Sequence, residues 1–224
     1  MNSTTILKYA FTILAFVPAI VLHEVAHGFA AMKLGDPTAK ASGRLSLNPL
    51  KHVDPFGTVI LPLCLMVLNM PVFGYAKPVP YNPAYFKDKR KGDFIVGMAG
   101  PLANLAQALL GAALMWALFP ARNQFMSNDV CMYFYYYFLP QYILINLYLM
   151  FFNLIPVPPL DGSSIIALFI PKNKLPQWYA IQAYALPIMI LIVIVLPYLV
   201  NFDPISAYLN FSAGGVASLL IPWG

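Results

Sequence analysis

Long apolar runs separated by short polar loops are the feature that most restricts how this chain can fold. Apolar residues make up 60% of the 224 residues, charged residues make up 9%, and the mean hydropathy is +0.71. A helix needs roughly 20 apolar residues to cross a hydrocarbon core of about 30 Å. Five runs approach or exceed that length, at residues 6–34, 56–72, 94–119, 130–155 and 178–200, and a weaker run covers 211–222. The sequence therefore predicts an all-α polytopic membrane protein that forms a single membrane domain over residues 1–224.

The placement of basic residues indicates the topology. The net charge is +5, and the 13 Lys and Arg residues lie mostly in loops, where they set orientation and meet lipid headgroups; nucleic-acid binding is not expected. If the run 56–72 returns to the side that it left, all of them except Lys8 and Arg122 face one side. If that run crosses, the division is more even. The positive-inside rule favours a re-entrant second run and four full spans, with the basic side in the cytoplasm.

A His-Glu-Val-Ala-His motif at residues 23–27 lies toward the end of the first apolar run. In a helix, His23 and His27 lie one turn apart on one face, a spacing at which two imidazoles can bind one Zn²⁺. Glu24 is the only glutamate in the chain, and it stands where a general base would be needed. The alternative is a group of buried polar residues bonded to neighbouring helices. Ionisable residues within a span are usually functional, so the motif predicts a site for one zinc ion.

Asp161 is the best candidate for the third protein ligand that a catalytic zinc site requires. It follows the fourth apolar run, in a proline-rich stretch that cannot continue a regular helix. His23 lies about 25 Å along a helix from Ile6, toward the cytoplasmic end of the first run. Asp161 reaches that level only if the first and fourth runs are parallel, which a single crossing between them provides. The alternative role for Asp161 is a turn or cap before Gly162.

Together these residues resemble the site-2 protease family of intramembrane zinc metalloproteases. The resemblance covers about residues 15–170 and rests on three motifs in order, at 23–27, at 99–104 (Ala-Gly-Pro-Leu-Ala-Asn) and at 153–162. It extends to residues 74–80, which are similar to a small, bacterial-type branch of the family without a PDZ or CBS domain. The resemblance implies a three-helix catalytic core over about residues 6–170. Additional transmembrane or re-entrant segments at 178–224 and a short membrane-associated β-loop would complete the fold.

The resemblance also implies roles for individual residues. His23, His27 and Asp161 match the family's zinc ligands, and Glu24 matches its catalytic glutamate. Asn153 matches an asparagine tied to substrate or oxyanion handling, and Asn104 is a candidate for shaping the active site. Each asparagine could instead make an interhelical hydrogen bond. The β-loop that can pair with an extended substrate corresponds to four residues, Arg44, Leu45, Ser46 and Leu47.

The expected function is zinc-dependent hydrolysis of membrane-spanning substrates in or near the bilayer, as in regulated intramembrane proteolysis. The expected partners are a membrane protein or peptide substrate and the lipid bilayer. The expected location is a bacterial plasma membrane, crossed several times, with the site toward the cytoplasm.

His52 is interpreted as a loop residue, although Asp54 lies close in sequence. The competing hypothesis is a non-proteolytic zinc-binding scaffold or transporter. A transporter would be expected to contain internal repeats, and the sequence shows none. The oligomeric state and the role of residues 201–224 stay open.

Overall fold

The computed structural model describes residues 3–67 and 75–223, and helices account for most of them. In chain order the α-helices are α1 Ser3–Lys33, α2 Thr38–Ala41, α3 Leu61–Val67, α4 Lys89–Leu118, α5 Asp129–Tyr133, α6 Leu139–Asn153, α7 Ser163–Phe169, α8 Leu175–Ile181, α9 Ala185–Ile190, α10 Leu196–Val200, α11 Pro204–Leu209 and α12 Gly215–Leu220. Wider π-helical turns join several of them, at Pro55–Ile60, Phe134–Phe138, Leu191–Val195 and Asn210–Gly214.

The first pair of core helices, α1 and α4, runs antiparallel. The side chain of His27 bonds to the carbonyl of Val96, whereas the carbonyl of Ala19 accepts from Asn104. Residues later in α1 therefore meet residues earlier in α4. Gly100 lies between these contacts, and its missing side chain lets the two helices approach closely.

The second pair, α4 and α6, is also antiparallel. Asn104 bonds to Asn146, and Gln107, one turn further along α4, accepts from Tyr142, one turn earlier in α6. Helices α1 and α6 also pack together, which completes a three-helix bundle. Because both are antiparallel to α4, α1 and α6 run parallel to each other. The sequence predicts this arrangement for the helices that carry His23 and precede Asp161.

The apolar helices support a membrane protein. Two described helices are long and apolar enough to cross a membrane, Ala10–Lys33 and Lys89–Ala121, and they correspond to the first and third apolar runs. The fourth run follows a continuous helical path from α5 through Phe134–Phe138 into α6. The fifth run is helical but divided among α8, α9 and α10. The number of full spans remains a prediction.

The chain segments that flank the second apolar run lie side by side. The run starts with the π-helical turn at Pro55–Ile60 and α3, and its end, with Pro71 and with Gly74 of the 74–80 motif, lies outside the described residues. The chain then reappears beside its starting point. The N–H of Tyr75 donates to the carbonyl of Gly57 at 3.1 Å, and the N–H of Lys77 donates to the carbonyl of His52 at 2.9 Å. The chain that follows the run therefore lies beside the chain at its start, as the predicted re-entrant topology requires.

The loop predicted to form a β-structure is irregular. No strand occurs within 3–67 or 75–223, and residues 44–48 follow α2 without regular hydrogen bonding. Arg44 is only 8% exposed, and its guanidinium donates to the carbonyls of Lys77, at 2.5 Å, and Pro78, at 3.4 Å. This residue ties the loop to the chain that returns from the second run. Pairing of the loop with a substrate stays a prediction.

Candidate metal centre

Two histidines of α1 form one wall of the centre. His23 and His27 are 5% and 8% exposed, and their Nε2 atoms lie 3.0 Å apart. The rings meet edge to face, with centroids 4.7 Å apart. The four-residue spacing in a continuous helix places them in this way, as the sequence predicts.

Asp161 closes the cluster from the turn after α6. One of its oxygens lies 3.1 Å from Nε2 of His23, and the other lies 3.4 Å from Nε2 of His27. The turn is held by the N–H of Gly162, which donates to the carbonyl of Asn153 at 2.6 Å. A Cβ at Gly162 would come within 2.6 Å of the carbonyl oxygen of Ile155, so only glycine fits this turn. Within the described residues, His23, His27 and Asp161 form the group that could hold a metal ion.

The hydrogen bonds around the cluster orient both imidazole rings with Nε2 toward its centre. Nδ1 of His27 faces the carbonyl of Val96 at 2.7 Å, and Nδ1 of His23 faces Oδ1 of Asn104 at 2.5 Å. A carbonyl oxygen can only accept, so each Nδ1 carries a proton, and in the neutral imidazole that binds a metal each Nε2 presents a lone pair. Oδ2 of Asp161 is buried and has no hydrogen-bond donor among the described residues. Lone pairs of two imidazoles and one carboxylate thus converge where only a cation would satisfy them.

The spacing of these atoms fits zinc. Ligands at about 2.0–2.1 Å from a tetrahedral ion stand roughly 3.3 Å from one another. The two Nε2 atoms are 3.0 Å apart, and each lies 3.1 or 3.4 Å from the nearer oxygen of Asp161, Oδ2 for His23 and Oδ1 for His27. Two nitrogens and one oxygen, with a fourth position left for a reactant, are also the donor set of catalytic zinc sites. The residues present could therefore hold one zinc ion.

Glu24 faces the chain that returns from the second run. Its Oε2 accepts the N–H of Val79 at 2.9 Å, which leaves Oε1 available for proton transfer. Val79 is 5% exposed and packs against Gly28, one turn after Glu24, together with Leu45. A backbone N–H thus orients the carboxylate that the sequence predicts to be the base.

Asp36 fastens the far end of this returning segment. It is fully buried just after α1, and it accepts the N–H of Asn82 at 2.6 Å and both the N–H and the hydroxyl of Thr38, at 2.9 and 2.5 Å. Burial of the carboxyl raises the pKa of Asp36, but the hydrogen bonds from Thr38 and Asn82 outweigh it and hold that pKa below its usual value. Asp36 therefore anchors the segment as a carboxylate.

The remaining candidate residues have other surroundings. The side chain of Asn153 donates to the carbonyl of Leu149 in its own helix at 2.9 Å, and its role with substrate stays a prediction. Asn104 contacts His23 directly, as its proposed part in shaping the site requires. His52 is 2% exposed, and its Nε2 bonds to the carbonyl of Ser46 at 2.8 Å, which agrees with a structural loop residue.

The sequence does not predict a role at the site for three residues that lie near it. Asn146 and Gln107 are buried polar residues on α6 and α4 that extend the hydrogen bonds around Asn104. Their polarity within apolar runs is the signal that could have found them. Val79 contributes only its backbone N–H, for which no side-chain pattern exists.

Comparison with known proteins gives the family. The model described as "Peptidase family M50" matches residues 121–196, which include Asp161. A protein of Bacillus subtilis (strain 168) named "Putative zinc metalloprotease YwhC" is 35% identical over 190 residues, which cover 84% of this chain and 81% of that protein. This chain belongs to peptidase family M50. The resemblance to the site-2 proteases is thereby confirmed, and the M50 chain is a metalloendopeptidase.

More distant relatives carry similar names. A "Putative zinc metalloprotease Rip2" of Mycolicibacterium smegmatis is 29% identical over 220 residues, covering 96% of this M50 chain and 78% of the relative. The "Putative zinc metalloprotease Rip2" of Mycobacterium tuberculosis (strain ATCC 25618 / H37Rv) is 26% identical over 158 residues, which cover 70% of this chain and 56% of the relative. No solved structure matches the chain. These names point to zinc as the metal of the M50 chain.

Proposed function

We propose that this protein is an intramembrane zinc endopeptidase whose single Zn²⁺ is held by His23, His27 and Asp161. The observation that carries the proposal is the convergence of the Nε2 atoms of two buried histidines, 3.0 Å apart, on the two carboxylate oxygens of Asp161, one of which has no hydrogen-bond donor among the described residues. The catalytic core extends over about residues 6–170, within a single membrane domain.

Glu24 acts as the general base and acid of peptide hydrolysis. When bound, Zn²⁺ supplies Lewis acidity that polarises a carbonyl and allows water to attack near neutral pH. Glu24 takes a proton from the attacking water, whose oxygen bonds to the scissile carbonyl carbon. It then delivers that proton to the departing amine as the C–N bond breaks. The Val79 N–H keeps the carboxylate oriented throughout. Asn153 is a candidate donor to substrate, after it releases its bond to Leu149.

The substrates are membrane-spanning proteins whose helices must open before cleavage, because a helical peptide bond is shielded by its own hydrogen bonds. The irregular loop of Arg44, Leu45, Ser46 and Leu47 offers an edge for an extended substrate. The anchoring of Arg44 to Lys77 places this edge beside the segment that contacts Glu24. The protein crosses a bacterial plasma membrane several times and acts in regulated intramembrane proteolysis.

Access from the cytoplasmic side is supported by a cavity. A space of about 460 Å³ lies between Tyr81, Asp93 and Tyr179. Gly97 follows Asp93 by one turn of α4 and lies against the carbonyl of Asp161. Asp93, which lines this cavity, is therefore one helical turn from a residue that packs against the backbone of Asp161. The loop 81–84 that lines the cavity belongs to the basic side of the predicted topology.

Purified protein tests the proposal with a single-span peptide substrate in detergent or nanodiscs. Wild type should cleave it, a zinc chelator should abolish cleavage, and added zinc should restore it. Glu24→Gln keeps the size of the side chain but cannot accept the proton. The cleavage rate should therefore fall by about 10²–10⁴-fold while zinc remains bound. Asp161→Ala should lose zinc, and His52→Ala should retain it. Wild-type turnover in Glu24→Gln, or full zinc content in Asp161→Ala, would refute the corresponding assignment.

A further inference from the structure

A chain of amide hydrogen bonds connects the metal centre to α6. Nδ1 of His23 meets Oδ1 of Asn104 at 2.5 Å, and Nδ2 of Asn104 donates to Oδ1 of Asn146 at 2.8 Å. Nδ2 of Asn146 in turn donates to the carbonyl of Tyr142 at 2.9 Å. Asn104 and Asn146 are both 0% exposed, so no solvent competes with these bonds. We call His23, Asn104 and Asn146 the amide relay.

The direction of every bond in the amide relay is set by backbone carbonyls. The carbonyl of Tyr142 only accepts, so Asn146 must turn its NH₂ group toward it and its oxygen toward Asn104. Asn104 must likewise place its NH₂ group against Asn146 and against the carbonyl of Ala19, which lies 3.1 Å away. Its oxygen then has one remaining direction, toward His23. The orientation of each amide thus follows from acceptors that cannot reverse their role.

We propose that Asn146 is a positioning residue for the metal centre, because it fixes the tautomer of His23 through Asn104. A reversed Asn104 would present NH₂ to Nδ1 and drive the proton of His23 to Nε2, where it would block the metal. The inference rests on the proposed zinc site. Asn146 lies on α6 and His23 lies on α1, and Asn104 of α4 connects them.

The two histidines differ in how their tautomers are secured. His27 bonds directly to the carbonyl of Val96, an acceptor that belongs to the backbone of α4. His23 bonds to a side-chain amide that could rotate by 180° unless something holds it. Asn146 and the carbonyl of Ala19 supply that restraint from α6 and α1. Loss of Asn146 should therefore affect His23 and spare His27.

Asn146→Leu tests the relay at nearly constant volume. The matched control is Tyr148→Phe on the same helix, which removes a hydroxyl bound to Asn210 and leaves every bond of the relay in place. Zinc affinity is measured by chelator competition. Partners of metal-binding histidines typically contribute 10- to 100-fold to affinity, so Asn146→Leu should weaken zinc binding by about that factor. Tyr148→Phe should bind as wild type does.

A second readout examines the histidines themselves. The chain has three histidines, so ¹⁵N-histidine labelling gives a simple NMR spectrum of the zinc-loaded protein. The hydrogen-bonded Nδ1–H signal of His23 should broaden or shift in Asn146→Leu, whereas that of His27 should not change. Where Asn146→Leu does not fold, Asn146→Ala is measured in the same way.

A rescue variant separates orientation from packing. Asn104→Asp presents an acceptor oxygen to His23 in either orientation, so the relay is no longer needed. In that background Asn146→Leu should change zinc affinity by less than about twofold. Affinity within twofold of wild type for Asn146→Leu or Asn146→Ala in the Asn104 background would overturn the inference. A wild-type protein that binds no zinc would instead refute the proposed function itself.

Discussion

Gly100 has no side chain, which leaves room for the imidazoles of His23 and His27. A Cβ there would come within 2.6 Å of the ring of His23 and would also collide with Nε2 of His27. Gly100→Ala should therefore push the two Nε2 atoms apart and weaken zinc binding by at least about tenfold, measured by chelator competition. Gly111→Ala is the matched control on α4, because its Cβ would meet only Ile143 and Tyr142, at 3.1 and 3.2 Å. Equal zinc affinity in both variants would contradict this account.

Because of the carboxylate of Asp36, the stability of the folded protein should decrease at acid pH. The folded pKa lies below the usual value of about 3.9, so the stabilisation is present above that pH and is lost as the pH falls through the folded pKa. Asp36→Asn lacks this titration. The unfolding temperature of wild type in detergent should exceed that of Asp36→Asn near pH 6, and the difference should shrink below pH 4. A difference that is constant from pH 6 to pH 3 would contradict the assigned role.

The residues that sequence alone predicts are those with a side-chain signature. The spacing of His23 and His27 requires one helix face, and Asp161 is a carboxylate beside an apolar run, so both imply convergence at one site. Asn146 carries the same signal of polarity within a run, but no local pattern pairs it with Asn104. Long-range pairing depends on helix packing, which sequence periodicity does not encode.

At the scale of elements, the segment 75–82 contacts Glu24, the proposed base, although nothing in the side chains of the segment suggests that contact. Val79→Pro removes the N–H that Glu24 accepts, and Pro78 and Pro80 already hold the backbone extended around it. A hydrogen bond to a charged group contributes about 1.5–3 kcal/mol. Cleavage should thus slow by roughly 10- to 100-fold with zinc content unchanged.

Val79→Ala is the control for this substitution, since it keeps the N–H and loses only the packing against Gly28. Peptide cleavage and zinc content measured on the same preparations separate the two contributions. Equal rates for Val79→Pro and Val79→Ala would mean that the N–H does not orient Glu24.

The type and order of the helices can be predicted because the apolar runs are long. The conformation of the loop at 44–48 cannot be predicted in this way. A β-structure is expected for it by resemblance, and the described chain is irregular there. Nη2 of Arg44 donates to the carbonyls of Lys77 and Pro78, so bonds from a side chain to the backbone, and not a β-ladder, hold the loop. Such bonds arise only once the second run has returned, which local propensity cannot anticipate.

At the scale of the whole molecule, the position of Asp161 depends on the topology of the second run. The bonds from Tyr75 to Gly57 and from Lys77 to His52 bring the two flanking segments together. In the predicted topology α4 makes the one crossing between α1 and α6, which agrees with the parallel packing of that pair and with the contact of His23 with Asp161. The count of basic residues, which puts all but Lys8 and Arg122 on one side, leads to the same topology without using any of these contacts.

Cysteine labelling tests that topology in intact cells and inverted vesicles. Lys51→Cys and Lys87→Cys flank the second run at exposed positions, and they are made separately in a background where Cys64 and Cys131 are replaced by serine. A membrane-impermeant maleimide should label both from the cytoplasmic face alone. Ser127→Cys, in the exposed loop after α4, should be labelled only from the opposite face. Labelling of positions 51 and 87 from different faces would mean that the second run crosses the bilayer. Helices α1 and α6 would then be antiparallel in the membrane, and Asp161 could not reach the two histidines by the path described.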